Sequence, residues 1–261
     1  MQSQKSVESF GWQWTKQAVF DSTRTLHKRL FKRWGIWFDH LDGKVVAEVC
    51  SGNGRHSWGL NRLTKAKKII SIELADAAVE YQKEAFKNED RIEVVQADVG
   101  NVKFQADFIY FTEGIQHVSD AEGALKNIYE NLNEQGEMVI TFYFKSLATM
   151  ALEPIRFILK NFPKRIRWWI SPFLAPLFMF QLYGRENGFQ NARLIAYDWF
   201  GGHEFQRYFT DSEVLEMFAA LGIEETNIIQ FKKGCYKIRR GKGLKIDDTL
   251  HSFGGESKRE N

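Results

Sequence analysis

Three acids, Glu48, Glu73 and Asp98, each stand where an apolar run ends, and a turn with two glycines follows the first of them. Such carboxylates suit a nucleoside: Glu73 is placed to accept hydrogen bonds from both ribose hydroxyls, and Asp98 one from an adenine amine. In the loop Cys50 to Gly54, CSGNG, Gly52 and Gly54 lack the Cβ that would hold a ligand away from the backbone. Ser51, Asn53 and Ser57 offer turn and helix-start chemistry. A phosphate site would instead aim amides at phosphate through a fuller glycine pattern or a P-loop lysine. Here Ser57 replaces the third glycine of G-x-G-x-x-G, and no G-K-[ST] follows. Two histidines, His117 and His203, have a side-chain pKa suited to drawing a proton from a hydroxyl.

The elements that must carry these residues alternate. Strands are expected near 44–50, 68–73, 91–97, 106–112 and 136–144, with helices between them, the pattern of a parallel sheet covered on both faces. In such a sheet ligands sit at the carboxyl ends of the strands, so Glu48, Glu73 and Asp98 should converge on one crevice. Ser119 with Glu122, and Thr210 with Glu213, fit capping boxes. Ile223 to Phe231 and Cys235 to Arg239, around Lys232, Lys233 and Gly234, read as a hairpin. A helical arm is expected over Trp12 to Trp37, within a 1–40 unit; a core follows over 41–144, an insertion over 145–196, the rest of the core over 197–240 and a loose tail over 241–261.

At 261 residues, 44% hydrophobic and 26% charged, the chain can bury one α/β core plus an appended cap. Its two cysteines, Cys50 and Cys235, exclude a disulfide framework and fit no zinc pattern, so no metal is expected. The start, MQSQKSVESFGWQW, lacks the apolar core of a secretory signal, which makes the cytoplasm the default. Charge is uneven. Lys and Arg outnumber acids 7 to 3 over residues 1–40, 8 to 2 over 145–193 and 9 to 4 over 231–261, while the remainder has 12 against 24. The appendages are basic and the core acidic, a pattern open to an anionic substrate, a membrane surface or nucleic acid, or to plain solvation. In the insertion, Trp168 to Gly184 has no charge. Pro172 and Pro176 are expected to break this run, which is too short to span a bilayer. It reads as a lid, a wall for a lipid-like substrate, or a peripheral membrane element over Trp168 to Tyr183 flanked by Lys160, Lys164, Arg165 and Arg167.

Taken in order, EVCSGNG at Glu48 to Gly54, SIEL at Ser71 to Leu74, QADV at Gln96 to Val99, and the run from Ala106 to Tyr143 resemble the class I S-adenosylmethionine-dependent methyltransferases, of the broad type 11 group. Cys50 stands where that family usually has its first glycine. The resemblance implies a Rossmann-like α/β fold: a seven-stranded sheet, mostly parallel with its last strand antiparallel, an N-terminal helical arm and a helical lid after strand 5. It also implies S-adenosylmethionine as cofactor. Glu48, Cys50, Gly52, Gly54, Glu73, Leu74, Asp98, Val99 and Thr112 would line it, with Phe10 and Trp14 of the arm folding across. His117 and His203 would serve the acceptor. The acceptor is expected to be a small molecule, methylated on oxygen and sugar-containing, lipid-like or a secondary metabolite. Nucleic acid is a poorer prospect, because no N-P-P-Y-like motif is present. Two alternatives stand beside this: a nicotinamide-dependent oxidoreductase, since Glu73 lies 21 residues after Gly52, and a non-catalytic membrane-associated protein of the same fold.

Overall fold

A computed structural model describes residues 36–178 and 206–241, together with residues 189, 192, 193, 196, 197, 199 and 200. The arm residues Phe10 and Trp14, His203 and the tail beyond residue 241 lie outside the described residues. In chain order the regular elements are β1 (Val45–Val49), α1 (Arg55–Leu63), β2 (Lys68–Glu73), α2 (Asp76–Ala85), β3 (Ile92–Gln96), β4 (Ala106–Phe111), α3 (Ala121–Glu130) and β5 (Leu132–Thr141). Then come α4 (Leu147–Leu159), α5 (Lys164–Phe178), α6 (Asp211–Ala220), β6 (Ile228–Lys232) and β7 (Cys235–Arg239).

The strands form one seven-stranded sheet in the order β3-β2-β1-β4-β5-β7-β6. β1 pairs in parallel with β2 and β4, β2 with β3, and β4 with β5, while β7 runs antiparallel to both neighbours. The Rossmann-like arrangement expected from the sequence is therefore the one observed. Because the central strands are buried on both faces, neighbouring residues of one strand serve different cores. Ala47, Val49, Ile70, Ile72, Ile109 and Phe111 pack with α3 and α6. Val46, Ile69, Phe108 and Tyr110 pack with Leu60 of α1 and with Ile36 and Leu41.

Several local expectations need correction. The N-cap of α3 is Asp120, one residue after the expected Ser119, and its carboxylate accepts from the Gly123 N–H at 2.9 Å. Thr210 and Glu213 do form their capping box. The hairpin begins later, because Glu225–Asn227 close a 3-10 turn before β6, and β5 starts earlier and ends at Thr141.

Pro172 and Pro176 do not break the apolar run, which is helical from Lys164 to Phe178. Pro172 has no N–H to give the Trp168 carbonyl four residues back. That carbonyl instead accepts from Ser171 Oγ at 2.8 Å and from Arg193 Nη2 at 3.0 Å. Arg193 also lies 3.7 Å over the Trp168 ring, so one guanidinium supplies both a donor and a stacking surface where the proline removes a bond.

Candidate active site

The switch point of this sheet lies between β1 and β4, where the strand order reverses, and the chain leaves both strands there in the left-handed region. After β1, Cys50 has φ 57°, Gly52 60° and Gly54 77°; after β4, Glu113 has φ 58°. Glycine accepts such angles freely, whereas Cys50 and Glu113 hold them against a steric cost. Their surroundings fix them. The Glu113 N–H donates to Thr141 Oγ1 at 2.8 Å, and its carboxylate lies 3.4 Å from Arg55. A Cβ on Gly114 would stand 2.6 Å from Cys50 Cβ and 2.8 Å from its sulfur. The side chain gained at the usual first-glycine position is thus accommodated by a glycine on the opposite wall.

Beneath the loop runs a buried polar network. Glu48 is 2% exposed, and its Oε2 accepts from the Ser57 N–H at 2.6 Å and from Ser57 Oγ. Ser57 Oγ also lies 2.8 Å from Ser71 Oγ, which bonds Gln82 Oε1 at 2.6 Å. Gln82 Nε2 then donates to Ser51 Oγ at 2.9 Å and to the Gly52 carbonyl at 2.7 Å. Glu48 therefore braces the start of α1 from below the loop. Burial pushes its carboxyl up to about 8, against the Ser57 hydrogen bonds that pull it down. Gly54 completes the packing, since a Cβ there would meet the Phe86 ring at 2.6 Å.

Glu73 lies at the end of β2, facing the loop. Its Oε2 accepts from the Gly52 N–H at 2.8 Å, and its Oε1 from the N–H groups of Leu74 and Ala75 at 2.9 and 3.0 Å. Burial raises this carboxyl, and the three amides offset part of the rise. Asp98 follows β3, half-buried, with Oδ1 accepting from the Gly100 N–H at 2.8 Å. The Cys50 thiol is pushed well above its usual range by burial, then by the charges of Glu73, Asp98 and Glu48. Val99 falls in the main core, whereas Thr112 is buried just after β4. The strand ends thus bring Cys50, Gly52, Glu73, Leu74, Asp98 and Thr112 to one edge of the sheet.

Beside them, the 3-10 turn Ile115–His117 carries the buried His117, whose ring meets the edge of Tyr143 with centroids 5.5 Å apart. Tyr143 stacks on Tyr208 at 6.2 Å, and Gln206 Nε2 donates to the Tyr208 hydroxyl at 2.6 Å. Two fully buried amides here stand out. Asn53 in the loop and Gln116 in the turn have neither amide atom hydrogen-bonded. Buried amides without partners are rare and mark places where a ligand can supply them. Gln82, Ser71, Tyr143 and Tyr208 were not among the residues singled out from sequence. A lone polar residue inside a strand or on an inward helix face was the available signal. Among the described residues, no cluster of His, Cys, Asp or Glu is arranged to hold a metal ion.

Residues 46–136 match the family described as methyltransferase domain. The likeness to a methyltransferase domain is thus carried by residues 46–136. The match spans β1 to the first part of β5, which is the part that carries the loop, Glu73, Asp98 and His117. No curated protein matches in sequence. Among solved structures, a candidate S-adenosyl-L-methionine-dependent methyltransferase from Methanococcus maripaludis is 18% identical, with a TM-score of 0.53 over 94% of this chain and 98% of that one. The magnesium protoporphyrin IX methyltransferase of Synechocystis PCC 6803, solved with bound SAH, is 13% identical, with a TM-score of 0.51 over 88% of this chain and 84% of that one. At such identities the likeness is one of fold. Together with the antiparallel β7, the family match favours the methyltransferase over the nicotinamide-dependent alternative.

Proposed function

We propose that this protein is a methyltransferase that moves a methyl group from S-adenosylmethionine to a small-molecule acceptor, on an oxygen of a sugar-containing, lipid-like or secondary-metabolite compound. The observation that carries the cofactor half is the Glu73 carboxylate, held by backbone amides at the end of β2 and turned toward Gly52. Its three amide hydrogen bonds leave one acceptor position for a ribose hydroxyl, and the second hydroxyl takes the place of the Gly52 N–H on Oε2. Asp98, one strand further along, accepts the adenine amine, while the backbone of Gly52 and the amide of Asn53 face the rest of the molecule.

When bound, the cofactor supplies an electrophilic methyl on a sulfonium. The protein has to align the acceptor oxygen with the methyl and keep water out. Thr112 edges the methionine part of the cofactor. His117, braced by the Tyr143 edge, takes the proton of the acceptor hydroxyl, and Gln116 beside it orients the acceptor.

Isothermal titration with S-adenosylhomocysteine tests the cofactor half. Micromolar binding is expected, and Glu73→Ala is expected to weaken it by about 1.5 to 3 kcal/mol through loss of charge-assisted hydrogen bonds. Equal affinity in a folded Glu73→Ala protein contradicts the ribose role. For the chemical half, methyl-labelled cofactor is mixed with cell extract, and label is followed into polar and lipid fractions. In the fraction that takes up label, His117→Asn is expected to slow transfer by about a hundredfold or more while cofactor affinity is unchanged. An undiminished rate would remove His117 as the base.

A further inference from the structure

Helices α4 and α5 are apolar on both sides. Their inner stripes, Leu152 and Leu159 on α4 and Leu174 and Ala175 on α5, pack in one cluster with Ala192, Ala196 and Phe200. A helix with one buried stripe ordinarily turns polar residues outward. Here the outward stripes are Leu147, Met150, Phe157 and Ile158 on α4, and Ile166, Trp169, Phe173 and Leu177 on α5. Leu147 is 88% exposed, Trp169 76% and Phe173 84%. The residues on α5 recur at intervals of three, four and four, so they form one continuous ridge. A set of large side chains this exposed and this contiguous marks a contact surface.

The charge around the ridge selects the partner. Between Lys145 and Phe178 there are six basic residues, Lys145, Arg156, Lys160, Lys164, Arg165 and Arg167, and a single acid, Glu153. That acid is paired with Arg156 at 3.0 Å. Lys145, Lys164 and Arg165 are exposed, and the Lys160 ammonium lies 4.7 Å over the Phe157 ring, on the apolar stripe itself. Among the described residues, no helix is long and apolar enough to cross a membrane. Exposed Trp, Phe and Leu flanked by lysine and arginine, on helices too short to span, form the pattern of an element that lies in the plane of a bilayer interface. We infer that the outward faces of α4 and α5 dock this protein on an anionic lipid surface, with Trp169 and Phe173 inserted below the headgroups and Lys164 and Arg165 against their phosphates. Both helices follow the carboxyl end of β5, so the docked chain presents the crevice side of its sheet near the bilayer. The inference does not depend on the methyl-transfer reading.

Flotation of the full chain with vesicles of phosphatidylglycerol mixed with phosphatidylcholine, and with vesicles of phosphatidylcholine alone, tests it. Binding is expected to the first and little to the second, with a loss on adding salt. Trp169→Ser with Phe173→Ser should lower partitioning by roughly tenfold or more. Lys164→Glu with Arg165→Glu should abolish the preference for the anionic vesicles, each basic residue contributing about fivefold. All four positions are exposed, and circular dichroism with thermal melting checks that the variants fold. Absence of flotation overturns the inference, as does flotation that neither double variant reduces. Light scattering covers the remaining occupant: a dimer that does not bind vesicles, and that Trp169→Ser with Phe173→Ser makes monomeric, would assign the ridge to a second copy of the chain.

Discussion

Replacing Glu137 with Ala lowers the stability of the fold by about 3 to 5 kcal/mol. Glu137 sits on β5 near the edge of the sheet opposite the crevice, with its side chain 5% exposed. It bridges Lys237 Nζ at 2.9 Å, His40 Nε2 at 2.6 Å and the Arg239 guanidinium. Lys237 is itself only 4% exposed, so removing the carboxylate strands an ammonium in a place water hardly reaches. The loss of that one acid therefore costs more than its contacts stabilise. Urea denaturation with folding checked by circular dichroism gives the number, and a change below about 1 kcal/mol would class the cluster with ordinary surface pairs.

Between about pH 4.5 and about pH 8 the protein is expected to lose stability as pH rises, and Glu48 is the reason. Its carboxyl is raised by burial to about 8, whereas in the unfolded chain it titrates near 4.5. The folded state therefore holds a proton that the unfolded state has released, and stability falls across that interval by up to about 5 kcal/mol. Glu73, raised by burial too, acts in the same direction. Glu137 acts with the opposite sign. Burial raises it, but His40 and Lys237 outweigh that and hold it far below the usual carboxylate range, so its contribution is present above about pH 4.5 and lost in stronger acid. Urea midpoints measured across the interval should fall, and Glu48→Gln, which keeps an acceptor for Ser57, should flatten the curve. A flat wild-type curve would show that Glu48 is ionised in the fold.

The difference between these two acids shows how far the chain could be read in advance. The core was legible because strands buried on both faces are written as short apolar runs, and because Glu73 and Asp98 stand at their ends. Glu48 was legible as a position but not as a role, since its contact is Ser57, nine residues on and beneath the loop. Gln82 looks like a surface residue in DAAVEYQKEA until the loop is folded against that helix. Glu137 gave no signal, because its partners Lys237 and Arg239 come about a hundred residues later and meet it only when β7 pairs with β5. Pro172 misled in the other direction: Arg193, which satisfies the carbonyl it frees, is distant in sequence. Short-range pattern specifies elements well and says little about contacts made across the fold.

Cys50 carries one more consequence. A loop suited to hold an alkylating molecule would be poorly served by a sulfur nucleophile, because a thiolate is readily methylated. Burial and the neighbouring acids Glu73 and Asp98 keep this sulfur protonated, and a protonated thiol is a weak nucleophile. The acids proposed to hold the nucleoside thus also shield the protein from modifying itself.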